Sequence, residues 1–170
     1  AAAVLQQNPT WSSCFILATS EARAALLKKI RALLQPLGDR ALILENQSLE
    51  RVLEIFRQAR IVLVPAKTPE PFGRTALEAM ACGCCVITSG LGGLREVVGT
   101  AAIFVPDITA SALADAMRAA LADPLNMDRF GQAARARAEY DFDMRLSSAK
   151  LDDVYSKFLK VDPQNAQKNI

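Results

Sequence analysis

Two glutamates, Glu70 and Glu78, bracket a stretch of seven residues that contains Phe72-Gly73-Arg74-Thr75. A carboxylate accepts hydrogen bonds, glycine lets a ligand approach the backbone closely, and arginine and threonine add a positive charge and a hydroxyl. Acidic groups repel phosphate, so a pair of them beside an anion-binding turn needs a reason, and a ligand that also carries sugar or ribose hydroxyls supplies one. Taken singly, Glu70 reads as a solvated loop residue and Glu78 as half of a surface ion pair. Taken together with the Gly-Leu-Gly-Gly turn at residues 90–93, they read as a binding site for an anionic, hydroxyl-rich molecule.

The surrounding elements would position that site. Ile61 to Val64 is a short apolar run closed by Pro65, the pattern of a buried strand. A loop carrying Pro69 and Pro71 leads to Gly73. Arg74 to Cys82 is rich in Ala, Leu, Met and Glu, which favours a helix, and Gly83 stops it. Cys84 to Thr88 is a second buried-strand pattern, followed by the turn Ser89 to Gly93. The unit is therefore a βαβ crossover. Its first loop leaves the carboxyl end of a strand and opens a helix, which is where open α/β sheets bind ligands and where free backbone amides favour phosphate.

Glu70-Pro-Phe-Gly-Arg-Thr-Ala-Leu-Glu78-Ala-Met-Ala-Cys-Gly83 resembles the paired-glutamate motif of retaining, nucleotide-sugar-dependent glycosyltransferases built from two Rossmann-like domains (GT-B type), the "glycosyl transferases group 1" family. Val86 to Val97 resembles that family's next strand and glycine turn. Phe104-Val105-Pro106-Asp107, Ala110 to Leu121 and Asp123-Pro124 resemble its closing strand and helices. The match runs in order through residues 10–158 and is dense over 61–139. It implies the C-terminal, donor-binding domain of such an enzyme. Glu78 would accept hydrogen bonds from ribose hydroxyls, and Glu70, the catalytic candidate, would hold hydroxyls of the donor sugar near the reacting centre. The amides of Gly73, Arg74 and Thr75 would stabilise the leaving diphosphate, Phe72 would belong to the donor- and nucleotide-binding set, and Asn46 or Gln47 would lie near the base, a simple turn being the other reading of these two. The resemblance implies no bound metal and no cofactor beyond the nucleotide diphosphate sugar itself. It implies two partners, that donor and an N-terminal acceptor domain, with a cytoplasmic location and peripheral contact at the inner face of a membrane through the absent domain. The sugar would be of hexosyl type and the pathway bacterial polysaccharide or lipopolysaccharide synthesis.

The family's donor domain begins one strand earlier, with a glycine-rich turn carrying an Arg and a Lys; this chain appears without it, the pattern of a fragment of a longer enzyme. Thr19-Ser-Glu21 stands where relatives have a glycine-containing turn, and Cys85 where they have proline.

Composition narrows the alternatives. The chain has 170 residues, 51% hydrophobic and 22% charged, with a net charge of +2 and no basic block interleaved with aromatics, which gives nucleic-acid binding no support. No apolar run approaches the roughly 18 residues of a membrane span, and the first residues lack the basic and apolar regions of a signal peptide. There is no histidine, so Ser-His-Asp and Cys-His catalysis are excluded. Cys82-Gly-Cys84-Cys85 lacks the two-residue spacing of a zinc knuckle and reads, with Cys14, as free buried thiols.

In order, the pattern predicts the end of a helix over residues 1–8, a strand at Cys14–Ala18, and a helix from Glu21 to Gln35 capped by Thr19 or Ser20. A strand at Ala41–Leu44 and a helix at Leu49–Ala59 capped by Ser48 precede the central unit. Leu94–Val98 is a short helix and Ala102–Val105 a strand. Helices follow from Thr109 or Ser111 to Ala122, from Asp123-Pro124 to Glu139, and from Asp141 to Lys160. The whole predicts one α/β Rossmann-like domain over residues 1–160, a parallel sheet with helices on both faces and its first strand missing, and a frayed tail over 161–170. Two other readings stand beside the donor domain: a non-catalytic interaction module derived from such an enzyme, whose missing strand leaves a sheet edge to pair with another chain, and a different nucleotide enzyme such as a dehydrogenase. No Gly-x-Gly-x-x-Gly follows a strand, which ranks the dehydrogenase last.

Overall fold

The computed structural model describes residues 1–20 and 23–159. Its elements are α1 (Ala2–Gln7), β1 (Ser13–Leu17), α2 (Ala24–Leu34), a 3-10 segment (Gln35–Arg40), β2 (Ala41–Glu45), α3 (Leu49–Gln58), β3 (Ile61–Val64), α4 (Arg74–Ala81), β4 (Cys85–Thr88), α5 (Gly93–Val98), β5 (Ala102–Phe104), α6 (Ala110–Ala122), α7 (Pro124–Asp141) and α8 (Met144–Leu159). Every element the sequence pattern calls for is present. The start of the second helix at Glu21, its end at Lys160 for the last one and the tail 161–170 lie outside the described residues.

The ends follow local chemistry. Ser48 accepts from the Arg51 amide, Thr109 from Ala112 and Asp123 from Asn126, each closing a first turn whose donors have no partner inside the helix. Pro124 then occupies the first position of α7, where a missing N–H costs nothing. Among the described residues α2 begins at Ala24 with Arg23 as its N-cap, and the Thr19 hydroxyl donates to Glu45 Oε2.

All strand pairs are parallel. β3, β4 and β5 form one ladder, with Val62 opposite Val86 and Val86 opposite Ala102. Alternation along these strands sorts side chains to two faces. Val62, Val86 and Ala102 join Phe56, Met80, Leu94 and Val97 beneath α3, α4, α5 and α7. Ile61, Leu63, Ile87 and Ile103 face Val4 of α1 and Ala114 and Met117 of α6. β4, central and covered on both faces, is buried at every residue. α7 seats closely against this unit: a Cβ on Gly131 would run into the Gly83 carbonyl oxygen.

The single sheet expected from the sequence is divided. β1 and β2 pair with each other, Phe15 opposite Ile43, and no ladder joins them to β3 among the described residues. Their own core is Leu5, Leu34 and Leu37, with Phe15, Trp11 and Ile43 against it. In α2 Leu34 is buried, while Leu33 is exposed.

Candidate functional site

The site is built where the loop after β3 meets the turn after β4. Glu70 makes an isolated parallel bridge to Gly92: its amide donates to the Leu91 carbonyl at 3.2 Å, and its carbonyl accepts from the Gly93 amide at 2.8 Å. A Cβ on Gly92 would stand 2.5 Å from the Glu70 carbonyl oxygen, and one on Gly93 would collide with the Pro71 carbonyl. These two glycines are therefore what lets the two loops touch backbone to backbone. Gly73 is the third contact. It adopts φ 101°, in the region that favours glycine, and a Cβ there would lie 2.5 Å from Leu94 Cδ1 at the start of α5.

Gly73 is also the N-cap of α4, with no side chain closing the cap. Its carbonyl accepts from Ala76 and Leu77. The amides of Gly73, Arg74 and Thr75 have no acceptor among the described residues, and they carry the positive end of the helix dipole. Three donors thus stand together at a helix start on the carboxyl-end edge of a parallel sheet, the kind of place where backbone amides favour an anion.

Glu70 is exposed, three residues before Gly73, and Glu78 lies one turn inside α4 with its side chain 23% exposed. Arg74 Nη2 approaches Glu78 Oε1 at 3.5 Å, an i,i+4 pair. At that distance, with the guanidinium largely in water, the pair adds little stability and leaves the carboxylate free to take another partner. Phe72 packs edge-on against Phe142, ring centres 5.9 Å apart at 82°. Phe142 is held in turn by Arg137, whose guanidinium lies 5.8 Å from its ring and donates to the Val97 and Glu96 carbonyls at the end of α5. The loop therefore rests on a support from α7 and α5 that no local pattern in the sequence announces.

Asn46 is placed apart from this cluster, at the end of β2. It has φ 51°, its Oδ1 accepts from the Thr19 amide at 2.9 Å, and its Nδ2 donates to Thr19 Oγ1 at 3.1 Å. Thr19 in turn donates to Glu45, which pairs with Arg31 at 2.7 Å. Both ends of the Asn46 amide are thus committed to tying the end of β1 to the end of β2. Ser89, which the sequence reading left inside the glycine turn, is buried with its hydroxyl unpaired among the described residues. The Thr88 hydroxyl beside it donates to the Val64 carbonyl at 3.0 Å, fastening the ends of β3 and β4.

The four cysteines are free thiols, but only two are buried as expected; Cys14 and Cys82 are half-buried. Cys84 and Cys85 are fully buried, Cys84 donating to the Phe56 carbonyl, and burial pushes their thiols up to about 12 and about 11. Among the described residues no group of three or more His, Cys, Asp or Glu side chains could hold a metal ion. No described helix is long and apolar enough to cross a membrane.

Comparison with known proteins gives this geometry a lineage. Residues 16–137 match the profile of the family described as Glycosyl transferases group 1. A D-inositol 3-phosphate glycosyltransferase of Xylanimonas cellulosilytica is 32% identical over 163 residues, covering 94% of this chain and 39% of that protein. Sucrose-phosphate synthase of Thermosynechococcus elongatus superposes with a TM-score of 0.77 at 30% identity, covering 94% of this chain and 41% of that one. The Anabaena protein HepE, solved in complex with UDP and glucose, superposes with a TM-score of 0.79 at 21% identity, over 92% of this chain and 43% of its own, a likeness of fold. The chain thus spans about two-fifths of the length of these relatives. The expected α/β architecture is the one these structures share, and with most of its length matched by the profile and nearly all of it by a relative, the chain belongs to the glycosyl transferases group 1 family.

Proposed function

We propose that residues 1–160 are the donor-binding half of a retaining glycosyltransferase, which moves a hexosyl-type sugar from a nucleoside diphosphate to an acceptor held by another domain of a longer protein. The observation that carries the reading is the backbone of Glu70, three residues before Gly73 at the α4 N-terminus with its unpartnered amides, fixed against Gly92 and Gly93. Donors at a helix start stabilise charge that grows on a leaving diphosphate, and they matter most in the transition state because that is where the charge appears. Glu70 accepts from hydroxyls of the donor sugar near the reacting carbon, and Glu78 accepts from ribose hydroxyls once the weak contact to Arg74 yields. Phe72 lines the same loop, and Asn46 approaches the base only if its bonds to Thr19 open. The nucleotide named in the HepE complex supports a uridine donor, and the related sugar-phosphate enzymes support hydroxyl-rich substrates. No metal or cofactor enters the scheme. Polysaccharide or lipopolysaccharide assembly at the cytoplasmic face of a bacterial membrane is the proposed setting, with the acceptor domain as partner.

The test is a titration of uridine, guanosine and adenosine diphosphates into isotope-labelled protein, followed by backbone amide NMR. Shifts concentrated at Phe72 to Thr75 for one nucleotide, and lost in Glu78→Ala with the fold intact, are the expected result. Shifts scattered over the surface, equal for all three nucleotides, would sink the donor-site reading. Alone, the 170-residue chain is expected to transfer no sugar, since the acceptor is held elsewhere; transfer by it would refute the division of labour.

A further inference from the structure

α4 has a second end, and it closes on a second concave feature. The helix starts at Gly73 on the carboxyl-end edge of the sheet and runs back to Ala81. Gly83 then leads into β4 beside Arg60 at the start of β3, where the Cys85 amide donates to the Arg60 carbonyl at 2.9 Å. At this amino-end edge α3, α4 and α7 enclose an open hollow of about 490 Å³. Arg57, Arg60 and Arg135 line it against a single carboxylate, Asp128, and Gln132 adds an amide. Gly83 is part of the wall, and a Cβ there would meet nothing within 4 Å, so the backbone stands open at that point. The close seat of Gly131 on the Gly83 carbonyl is what brings the α7 side chains to the hollow.

The three guanidinium groups are held differently. Arg135 donates through Nη1 to the Ala81 carbonyl at 2.8 Å and through Nε to Glu139 at 2.6 Å. Arg60 lies between Asp128, its ion-pair partner, and the Trp11 ring, whose centre is 5.9 Å away. Two of the three are therefore fixed by the fold itself. Arg57, in the last turn of α3, is exposed and has no hydrogen-bond or ion-pair partner among the described residues, Glu54 one turn before it being taken by Arg51. A cation in the last turn of a helix is favourable by itself, which accounts for Arg57 alone. It does not account for two more arginines converging on the same hollow. Their convergence is felt at Cys82: burial raises that thiol, Arg57 and Arg135 both act to lower it, and Glu78, one turn earlier in α4, acts to raise it.

We propose that this hollow is a second anion site, at the opposite end of α4 from the candidate donor site, and that it takes the phosphate group of a small soluble phosphomonoester. Guanidinium forks match phosphate oxygens in pairs, and a dianion can engage Arg57 together with Arg60, where the Asp128 carboxylate holds Arg60 only. The volume falls within the roughly 300–1,000 Å³ of small-molecule sites, which leaves room for an organic part beyond the phosphate. Gln132 offers its hydroxyls both a donor and an acceptor. None of these lining residues belongs to the candidate donor site, so the hollow can bind whether or not that reading holds.

The test is a titration of glycerol 3-phosphate into the isotope-labelled 170-residue chain, followed by NMR at backbone amides and arginine Nε–H groups, with sodium chloride at matched ionic strength as the control. The expected result is a set of saturable shifts at Gly83, Arg60 and Arg135, with a dissociation constant on the order of 1 mM, that chloride does not produce. Arg57→Gln is expected to weaken binding roughly tenfold at an unchanged melting temperature, because the side chain is exposed and unbonded. Asp128→Asn, which removes the competing carboxylate, is expected to tighten it. Equal shifts with chloride, binding unaltered by Arg57→Gln, loss of binding in Asp128→Asn, or shifts confined to Gly73–Thr75 would overturn the second site. Co-sedimentation with phosphatidate vesicles that is lost in Arg57→Gln, without binding of glycerol 3-phosphate, would assign the phosphate to a lipid headgroup and overturn the soluble ligand.

Discussion

At the residue scale the site is defined by absent side chains as much as by present ones. Gly92 touches the Glu70 backbone, and a backbone oxygen 2.5 Å from a new Cβ has nowhere to go. Gly92→Ala is therefore expected to part the two loops, costing about 2–3 kcal/mol in urea unfolding. Gly73→Ala meets the end of a leucine side chain, which can rotate, but it also imposes a positive φ; about 1–2 kcal/mol is expected. A cost below 0.5 kcal/mol at Gly92 would mean that the loops are not held in contact. The Arg74–Glu78 pair makes the opposite prediction. At 3.5 Å and largely in water it contributes next to nothing, so Arg74→Ala should leave the melting temperature unchanged while weakening nucleotide diphosphate binding. If Arg74→Ala and Glu78→Ala destabilise the fold equally and substantially, the bland reading of Glu78 as half of a structural ion pair is the right one.

At the scale of elements, the loop after β3 depends on a partner remote in sequence. Phe142 follows α7 and supports Phe72 edge-on, while Arg137 ties Phe142 to the end of α5. Phe142→Leu keeps apolar volume but removes the ring pair, worth about 0.5–1.5 kcal/mol. It is expected to raise the dissociation constant for the diphosphate more than it lowers stability, as calorimetric titration and thermal melts would show; a loss of stability with binding unchanged would detach the support from the site. This contact also marks the limit of what the sequence makes legible. The strands and the caps Ser48, Thr109 and Asp123 follow from local pattern, because apolar runs and cap residues act within a few positions, whereas the bridge between Glu70 and Gly92 joins two loops that local pattern does not pair. The Phe72–Phe142 contact and the Thr19–Asn46 bonds depend on residues 27 to 70 positions apart. No periodicity encodes them.

For the molecule as a whole, two kinds of unevenness follow from where the core lies. The first concerns pH. The Cys84 and Cys85 thiols are held up to about 12 and about 11 by burial, against an ordinary value of 9.0. The unfolded chain therefore loses these protons at lower pH than the folded one. Their effect on stability is flat below pH 9 and unfavourable as pH rises from 9 toward 12. Cys84→Ala with Cys85→Ala should flatten the alkaline fall in stability, and native protein at pH 8 should leave both thiols unlabelled by a disulfide reagent until it is unfolded. The second unevenness is spatial. The ladder β3–β4–β5 has core on both faces, running from Phe56 to Ala138 on one and from Val4 to Ala120 on the other, whereas β1 and β2 rest on Leu5, Leu34 and Leu37. Local opening is governed by such differences in buried apolar contact. Amides of β1 and β2 should therefore exchange through a low-energy opening and those of β4 only through global unfolding. α1 is the hinge of this argument, because Val4 and Leu5, adjacent in sequence, belong to different cores. Leu5→Ala is expected to accelerate exchange in β1 and β2 while leaving β4 protected, and Val4→Ala to lower the protection of β4 as well. Equal effects of the two substitutions on all five strands would show that the chain unfolds as one cooperative unit and that the divided ladder has no energetic counterpart.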